Sequence, residues 1–115
     1  MFIYESVRCL RVVDGDTIDC AILLTPDSLT IKKRIRLARI DTPEMHQVGG
    51  KEAKQIVMEK IQNSKIDLHI FKLDSFGRWI GEVYKDGENI SDWLLENGIA
   101  KPYVKPTPLN KEGSL

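Results

Sequence analysis

Apolar and polar residues alternate through most of this chain, and only two windows switch to helical spacing. Residues 3 to 13 read as a strand rich in branched apolar side chains, and Asp14-Gly15 is a strong short-range hairpin signal. Thr17 to Leu24 reads as the return strand, with Ile18, Cys20, Ile22 and Leu24 on one buried face against Thr17 and Asp19. A turn at Asp14-Gly15 sets Val13 against Asp16 and, counting outward, Cys9 against Cys20. The same register sets Arg11 against Ile18, which suggests a bulge. After a loop at Thr25-Pro26-Asp27-Ser28, a third strand runs from about Ile31 to Ile40. It breaks where Thr42 precedes Pro43. Met45 to Gly50 contains paired glycines and no apolar period, so a mobile loop is expected there.

From Lys51 the spacing of Ala53, Ile56, Val57 and Ile61 predicts an amphipathic helix that ends at Asn63-Ser64. Ile66, Leu68 and Ile70 restore the period of a strand. Asp74-Ser75-Phe76-Gly77 then turns the chain into a fifth strand, Arg78 to Tyr84. Lys85-Asp86-Gly87 is a further turn, and Ser91 is read as the cap of a short helix, Asp92 to Asn97, stopped by Gly98. Lys101 to Leu115 shows no period and is read as extended.

The order is three strands, helix, two strands, helix. It predicts a mainly β protein of the α+β class: an OB-fold, a five-stranded Greek-key barrel with one helix between strands 3 and 4 and a short helix after strand 5. A generic α+β sheet shares much of that pattern. Residues 1–104 are expected to form a single domain and 105–115 an extended or disordered tail.

Length and composition agree with one modest core: 115 residues, 13.1 kDa, 42% hydrophobic and 30% charged. No apolar run approaches the roughly 20 residues needed to cross a bilayer, so no membrane partner is expected. The first residues lack a signal pattern, so the chain as written is expected to be cytoplasmic, and secreted only if a leader was removed. Seventeen basic and 17 acidic residues cancel, so any nucleic-acid partner must be met by a local patch. Lys32, Lys33, Arg34, Arg36 and Arg39 supply a candidate, though such a run also suits a solvated strand edge. Cys9 and Cys20 have no metal-ligand spacing and are most simply read as reduced thiols.

The informative stretch is Arg36-Leu37-Ala38-Arg39-Ile40-Asp41-Thr42-Pro43-Glu44. It projects a guanidinium from a strand, a carboxylate from near the strand's end and a second carboxylate past a rigid turn. Asp16 begins another strand and Arg78 follows another turn. Carboxylates at strand ends suit a hard cation, and two of them with a carbonyl predict a weak site, nearer ~10⁻⁴ M than ~10⁻⁷ M. Each segment alone also fits a simpler reading: Asp14 and Asp16 as turn formers, Glu44 as an exposed acid, Arg78 as a partner of Asp74.

Together these segments resemble a known family. Val12-Val13-Asp14-Gly15-Asp16-Thr17, Arg36 to Glu44, and Asp74-Ser75-Phe76-Gly77-Arg78 are similar to the three signature segments of the thermonuclease, or staphylococcal-nuclease-like, family. Gly87 to Leu94 with Asn97-Gly98-Ile99-Ala100 resembles its following helix. The likeness covers roughly residues 5 to 104, in order.

The resemblance implies an OB-fold and calcium-dependent hydrolysis of phosphodiester bonds in DNA and/or RNA, with single strands preferred. By position, Asp16 and Asp41 would be carboxylate ligands of Ca2+ and Thr42 would offer its backbone carbonyl. Arg36 and Arg78 match the phosphate-binding arginines, and Glu44 the acid that orients or deprotonates the attacking water. Asp14 would stand behind the ligands at most. Tyr103 and Phe76 would contact substrate, Phe76 standing where the type nuclease has a tyrosine and Ser75 where it has a lysine. Arg39 occupies a position that is usually small or apolar, and is expected to snorkel outward or pair with an acid. A monomer is expected; because the family's C-terminal helix has no counterpart, a partner or dimer that covers the exposed surface is the other reading, as is a truncated chain. A noncatalytic OB-fold module that binds single-stranded nucleic acid or protein is the alternative function; its mark would be loss of one of the five charged site residues, and none is lost. His46 and His69 are read as surface residues without partners for zinc or a nucleophilic triad.

Overall fold

A computed structural model describes residues 1–104. Eight strands and two helices follow one another: β1 Phe2–Asp14, β2 Thr17–Leu23, β3 Thr30–Leu37, β4 Ile40–Asp41, α1 Gly50–Ile61, β5 Lys65–Leu73, β6 Trp79–Lys85, β7 Glu88–Asn89, α2 Ile90–Glu96 and β8 Lys101–Pro102. The main sheet runs β3-β2-β1-β5-β6-β7. Parallel pairing of β3 with β6, through Ile35↔Trp79, Arg36↔Ile80 and Leu37↔Gly81, closes the five long strands into a barrel. This is the expected OB-like α+β architecture, with α1 between the third and fourth long strands. Among the described residues, no helix is long and apolar enough to cross a membrane.

The alternating apolar positions supply the barrel interior. Ile18, Ile35, Leu68 and Val83 are fully buried, while α1 contributes Val57 and Ile61, and α2 contributes Ile90 and Leu94. α1 lies across β1, so its apolar stripe closes one end of the barrel. At the far end of α1, Cys9 N–H donates to Ser64 O at 2.9 Å and Asn63 N–H donates to Cys9 O at 2.8 Å. These bonds tie the helix exit to β1.

Local readings change at five places. The first hairpin pairs Asp14 with Thr17, so its turn residues are Gly15 and Asp16. Irregularities between Val12 and Asp14 and between Cys9 and Arg11 then absorb the offset, and Arg11 faces Asp19 instead of Ile18. The third strand ends at Leu37, because Arg39 adopts φ 71° and bends the chain before β4 resumes at Ile40. The segment between Met45 and Gly50 is knitted by its own bonds, Gln47 N–H to Glu44 O at 2.8 Å and Gly50 N–H to Gln47 O at 3.1 Å. α2 is capped by Asn89, whose side chain accepts from Asp92 N–H at 3.0 Å, while Ser91 is buried and donates to Ala38 O at 2.9 Å. Lys101 and Pro102 belong to a short ladder against β4. The expected tail over 105–115 lies outside the described residues.

Candidate active site

The tip of the β1–β2 hairpin presents two carboxylates. Asp14 Oδ1 accepts the Asp16 N–H at 3.1 Å, an Asx turn that aims both acids to one side. Asp16 is nearly buried: its Oδ1 accepts from the Thr17 hydroxyl at 3.1 Å and its Oδ2 from the Thr42 N–H at 3.1 Å. A Cβ on Gly15 would stand 2.6 Å from Thr42 Oγ1, so a side chain there would push the hairpin away from β4. Burial, and next the adjacent Asp16 carboxylate, push the Asp14 carboxyl up to about 6. Burial also acts to raise Asp16, but Asp14, the Arg36 guanidinium, the Thr42 N–H and the Thr17 hydroxyl outweigh it and hold that carboxyl below the usual range.

Arg36 reaches the same point from β3. Its Nη2 donates to Asp41 Oδ1 at 2.7 Å, its Nη1 donates to Leu37 O at 2.8 Å, and Nη1 stands 3.6 Å from Asp16 Oδ2. The guanidinium therefore lies between the two carboxylates. The bend at Ala38-Arg39 is what brings Asp41 back to it. Arg39 holds that bend: Nε donates to Glu82 Oε2 at 2.7 Å, and Nη2 to Glu82 Oε1 at 2.9 Å and Asp92 Oδ1 at 2.8 Å. A bidentate fork onto a buried glutamate secures a left-handed backbone that glycine would adopt more readily. Arg39 thus pairs with acids, the second of its two expected fates.

Glu44 rims the site from the loop after Pro43. It is exposed, 3.7 Å from His46 Nδ1, and its N–H donates to Gln47 Oε1 at 2.8 Å. A Cβ on Gly50 would fall 1.9 Å from the Glu44 carbonyl oxygen, so the first turn of α1 is pressed against the backbone that carries Glu44. Arg78 enters from the β5–β6 turn. Asp74 Oδ1 accepts the N–H groups of Phe76 and Arg78 at 2.8 and 2.9 Å, and its Oδ2 accepts from Arg78 Nε. Burial acts to raise Asp74, but these donors hold it below the usual carboxylate range.

Asp14, Asp16, Arg36, Asp41, Thr42, Glu44 and Arg78 line one cleft of about 480 Å³, with Met45 and His46 at its rim. Tyr103 and Phe76 stand outside it, on a neighbouring groove that shares Arg36 and Arg78. Arg36 Cζ lies 5.8 Å from the Tyr103 ring centre and Arg78 Cζ 5.5 Å from that of Phe76, so each arginine links the cleft to an exposed aromatic face. Four of the five cations between Lys32 and Arg39 are engaged within the protein: Arg34 pairs with Asp19, Lys33 lies over Trp79, and Arg36 and Arg39 are paired as described.

The donor chemistry fits a hard cation. The side chains beside Arg36 are oxygen donors, two of them crowded carboxylates, and the buried Thr42 Oγ1 has no hydrogen-bond partner. Among the described residues there is no cluster of three or more His, Cys, Asp or Glu side chains arranged around one metal position. Asp16 and Asp41 are the carboxylates on either side of Arg36, and the Thr42 backbone adjoins Asp16. Sequence reading offered the Arg78–Asp74 pair only as an alternative to a site role, whereas the pair and the site coexist, and it missed His46 as a rim residue. An Asp four residues before the arginine in a glycine turn was the available signal for the pair, whereas His46 gave none.

The chain is similar to proteins described as nucleases and endonucleases. Residues 34–114 match the family described as staphylococcal nuclease homologue. A probable staphylococcal-like nuclease of Oryza sativa subsp. japonica is 36% identical over 76 residues, 66% of this chain and 23% of that protein. An uncharacterized endonuclease of Escherichia coli O157:H7 is 34% identical over 97 residues, 84% of this chain and 60% of that protein. An uncharacterized 38.1 kDa protein of Capnoides sempervirens is 38% identical over 78 residues, 68% of this chain. The matched regions span about a quarter of the two plant proteins, 23% of each, and 60% of the bacterial one.

Proposed function

The chain belongs to the staphylococcal nuclease homologue family, and from that premise we propose that it hydrolyses phosphodiester bonds of DNA and/or RNA in a calcium-dependent reaction. One observation carries the proposal: Asp16, Arg36, Asp41, Glu44 and Arg78, drawn from separate segments of the chain, line a single cleft. Asp16 and Asp41, with the Thr42 carbonyl, would hold Ca2+, which when bound polarises a phosphate oxygen and offsets the charge of the scissile group.

The remaining work falls to the protein's own side chains. Arg36 exchanges its bond to Asp41 for a phosphate oxygen while Nη1 stays on Leu37 O. Arg78 grips a second oxygen with the guanidinium edge that Asp74 leaves free. Two planar forks oriented before substrate arrives stabilise the charge that gathers on phosphorus-bound oxygens, commonly by several kcal/mol per group. Glu44 accepts a proton from the water whose oxygen attacks phosphorus, and the opposing P–O ester bond breaks, the departing alkoxide oxygen taking up a proton from solvent. Tyr103 and Phe76, on the groove beside the arginines, offer stacking faces for unpaired bases, which supports a single-stranded substrate.

The test is cleavage of single-stranded DNA and RNA across a calcium titration with a chelator control. Calcium-dependent turnover, with nearly all rate lost in Arg36→Ala and in Glu44→Ala, is the expected result. Undiminished activity in both variants sinks the mechanism. Salt-dependent binding without turnover at saturating calcium assigns the chain instead to the noncatalytic binding class.

A further inference from the structure

The two cysteines are buried in the barrel, away from the cleft, and the nuclease reading makes no use of them. Cys9 on β1 is the direct cross-strand partner of Cys20 on β2, and both side chains are fully buried on the inward face. The backbone bonds of Cys9 fix the kind of pair. Both its N–H and its C=O are engaged on the other side of β1, by Ser64 O and Asn63 N–H. Cys9 therefore exchanges no ladder bonds with Cys20. In an antiparallel ladder such positions are the closely spaced ones, with α-carbons about 4.5 Å apart and side chains in contact. That spacing falls inside the range of about 4.4–6.8 Å spanned by disulfides.

We propose that Cys9 and Cys20 form an oxidisable dithiol, a site at which a small disulfide oxidant of the glutathione class installs a cross-strand bridge between β1 and β2. The Cys9 thiolate attacks one sulfur of the oxidant and expels the first glutathione thiolate. Cys20, having lost its proton to solvent, attacks the Cys9 sulfur of the mixed disulfide and expels the second. Two protein thiols are oxidised by two electrons, one oxidant disulfide is reduced to two thiols, and the two protons lost by the cysteines are taken up by the departing thiolates.

Three features support this order and place. The neighbouring Cys20 side chain outweighs burial and holds the Cys9 thiol below its usual range, while Cys9 and burial push Cys20 up; Cys9 is the first to ionise. β1 is also least regular around Cys9, with register shifts between Tyr4 and Val7 on one side and between Cys9 and Arg11 on the other, and with Ser6 at φ 54°. Local opening there gives the oxidant access without unfolding the barrel. Finally, the bridge would join the two strands whose shared turn carries Asp16, so its closure restrains the hairpin that delivers an acid to the cleft.

The test needs no variant that might fail to fold. The full chain is refolded into glutathione buffers spanning reduced to oxidised, and an equal series is held in denaturant; free thiols are then alkylated and counted by intact mass. At the ratio that half-oxidises the unfolded chain, the folded chain is expected to be about tenfold further toward an intramolecular disulfide, monomeric and with no thiol labelled. The oxidised protein is also expected to melt at a higher temperature than the reduced one, since a bond favoured by the fold stabilises the fold in return. Coincident midpoints for folded and unfolded chain, preferential oxidation of the unfolded chain, or capture only as glutathione adducts or dimers overturns the proposal.

Discussion

Arg39 shows how one side chain sustains a site it does not touch. Its backbone sits at φ 71° and its guanidinium forks onto Glu82, which is only 8% exposed. Arg39→Ala leaves that glutamate without its cation and retains an unfavourable left-handed residue, and is expected to cost about 2 kcal/mol. Arg39→Gly relieves the backbone and should recover about 1 kcal/mol of that loss; urea denaturation of the two variants checks the order. Arg78 depends on Asp74 in a comparable way, so Asp74→Ala is expected to lower kcat/KM about tenfold by freeing the guanidinium, measured by steady-state cleavage. Asp19 gives a pH signature. Hydrogen bonds from Arg34 hold its carboxyl below the usual 3.8, so its contribution to stability is complete above that value and is lost as pH falls through the lower folded value. Asp19→Asn should therefore show a shallower loss of melting temperature on acidification than the unsubstituted protein.

At the level of elements, strands and helices were legible because their periods are local: Ile66, Leu68 and Ile70 alternate, and Ala53, Val57 and Ile61 recur on one helix face. The turns were less so. The hairpin signal at Asp14-Gly15 was off by one residue, because the cross-strand fit of Arg11 with Asp19 and the contact of Gly15 with Thr42 decide the register, and Thr42 is distant in sequence. The break after Leu37 was hidden for the same reason, since Glu82 and Asp92 stabilise it from β6 and α2. Gly50 illustrates an element boundary set by contact. Gly50→Ala forces the start of α1 away from Glu44 and is expected to reduce cleavage on the order of 100-fold, because displacement of a catalytic group by about 1 Å has that effect. Cleavage kinetics beside far-ultraviolet circular dichroism separate this local shift from loss of the fold.

For the whole molecule, closure of the barrel through β3 and β6 is the decisive event, because it sets Arg36 of β3 beside the turn that carries Arg78. Ile35 packs at that seam with no exposed surface, so Ile35→Ala is expected to destabilise by about 3 kcal/mol, read from the urea midpoint with an unchanged slope. The sequence by itself determined the fold class, the number of long strands, the helix between the third and fourth, and the charged residues from which a phosphate site can be built. Those follow from local periodicity and from residue chemistry, which a linear chain displays directly. Only the tertiary structure decided which charges meet. It gave Arg34 to Asp19 and Arg39 to Glu82 and Asp92, and set Arg36 between Asp16 and Asp41. Such pairings depend on register and closure, which arise from contacts between residues far apart in the chain.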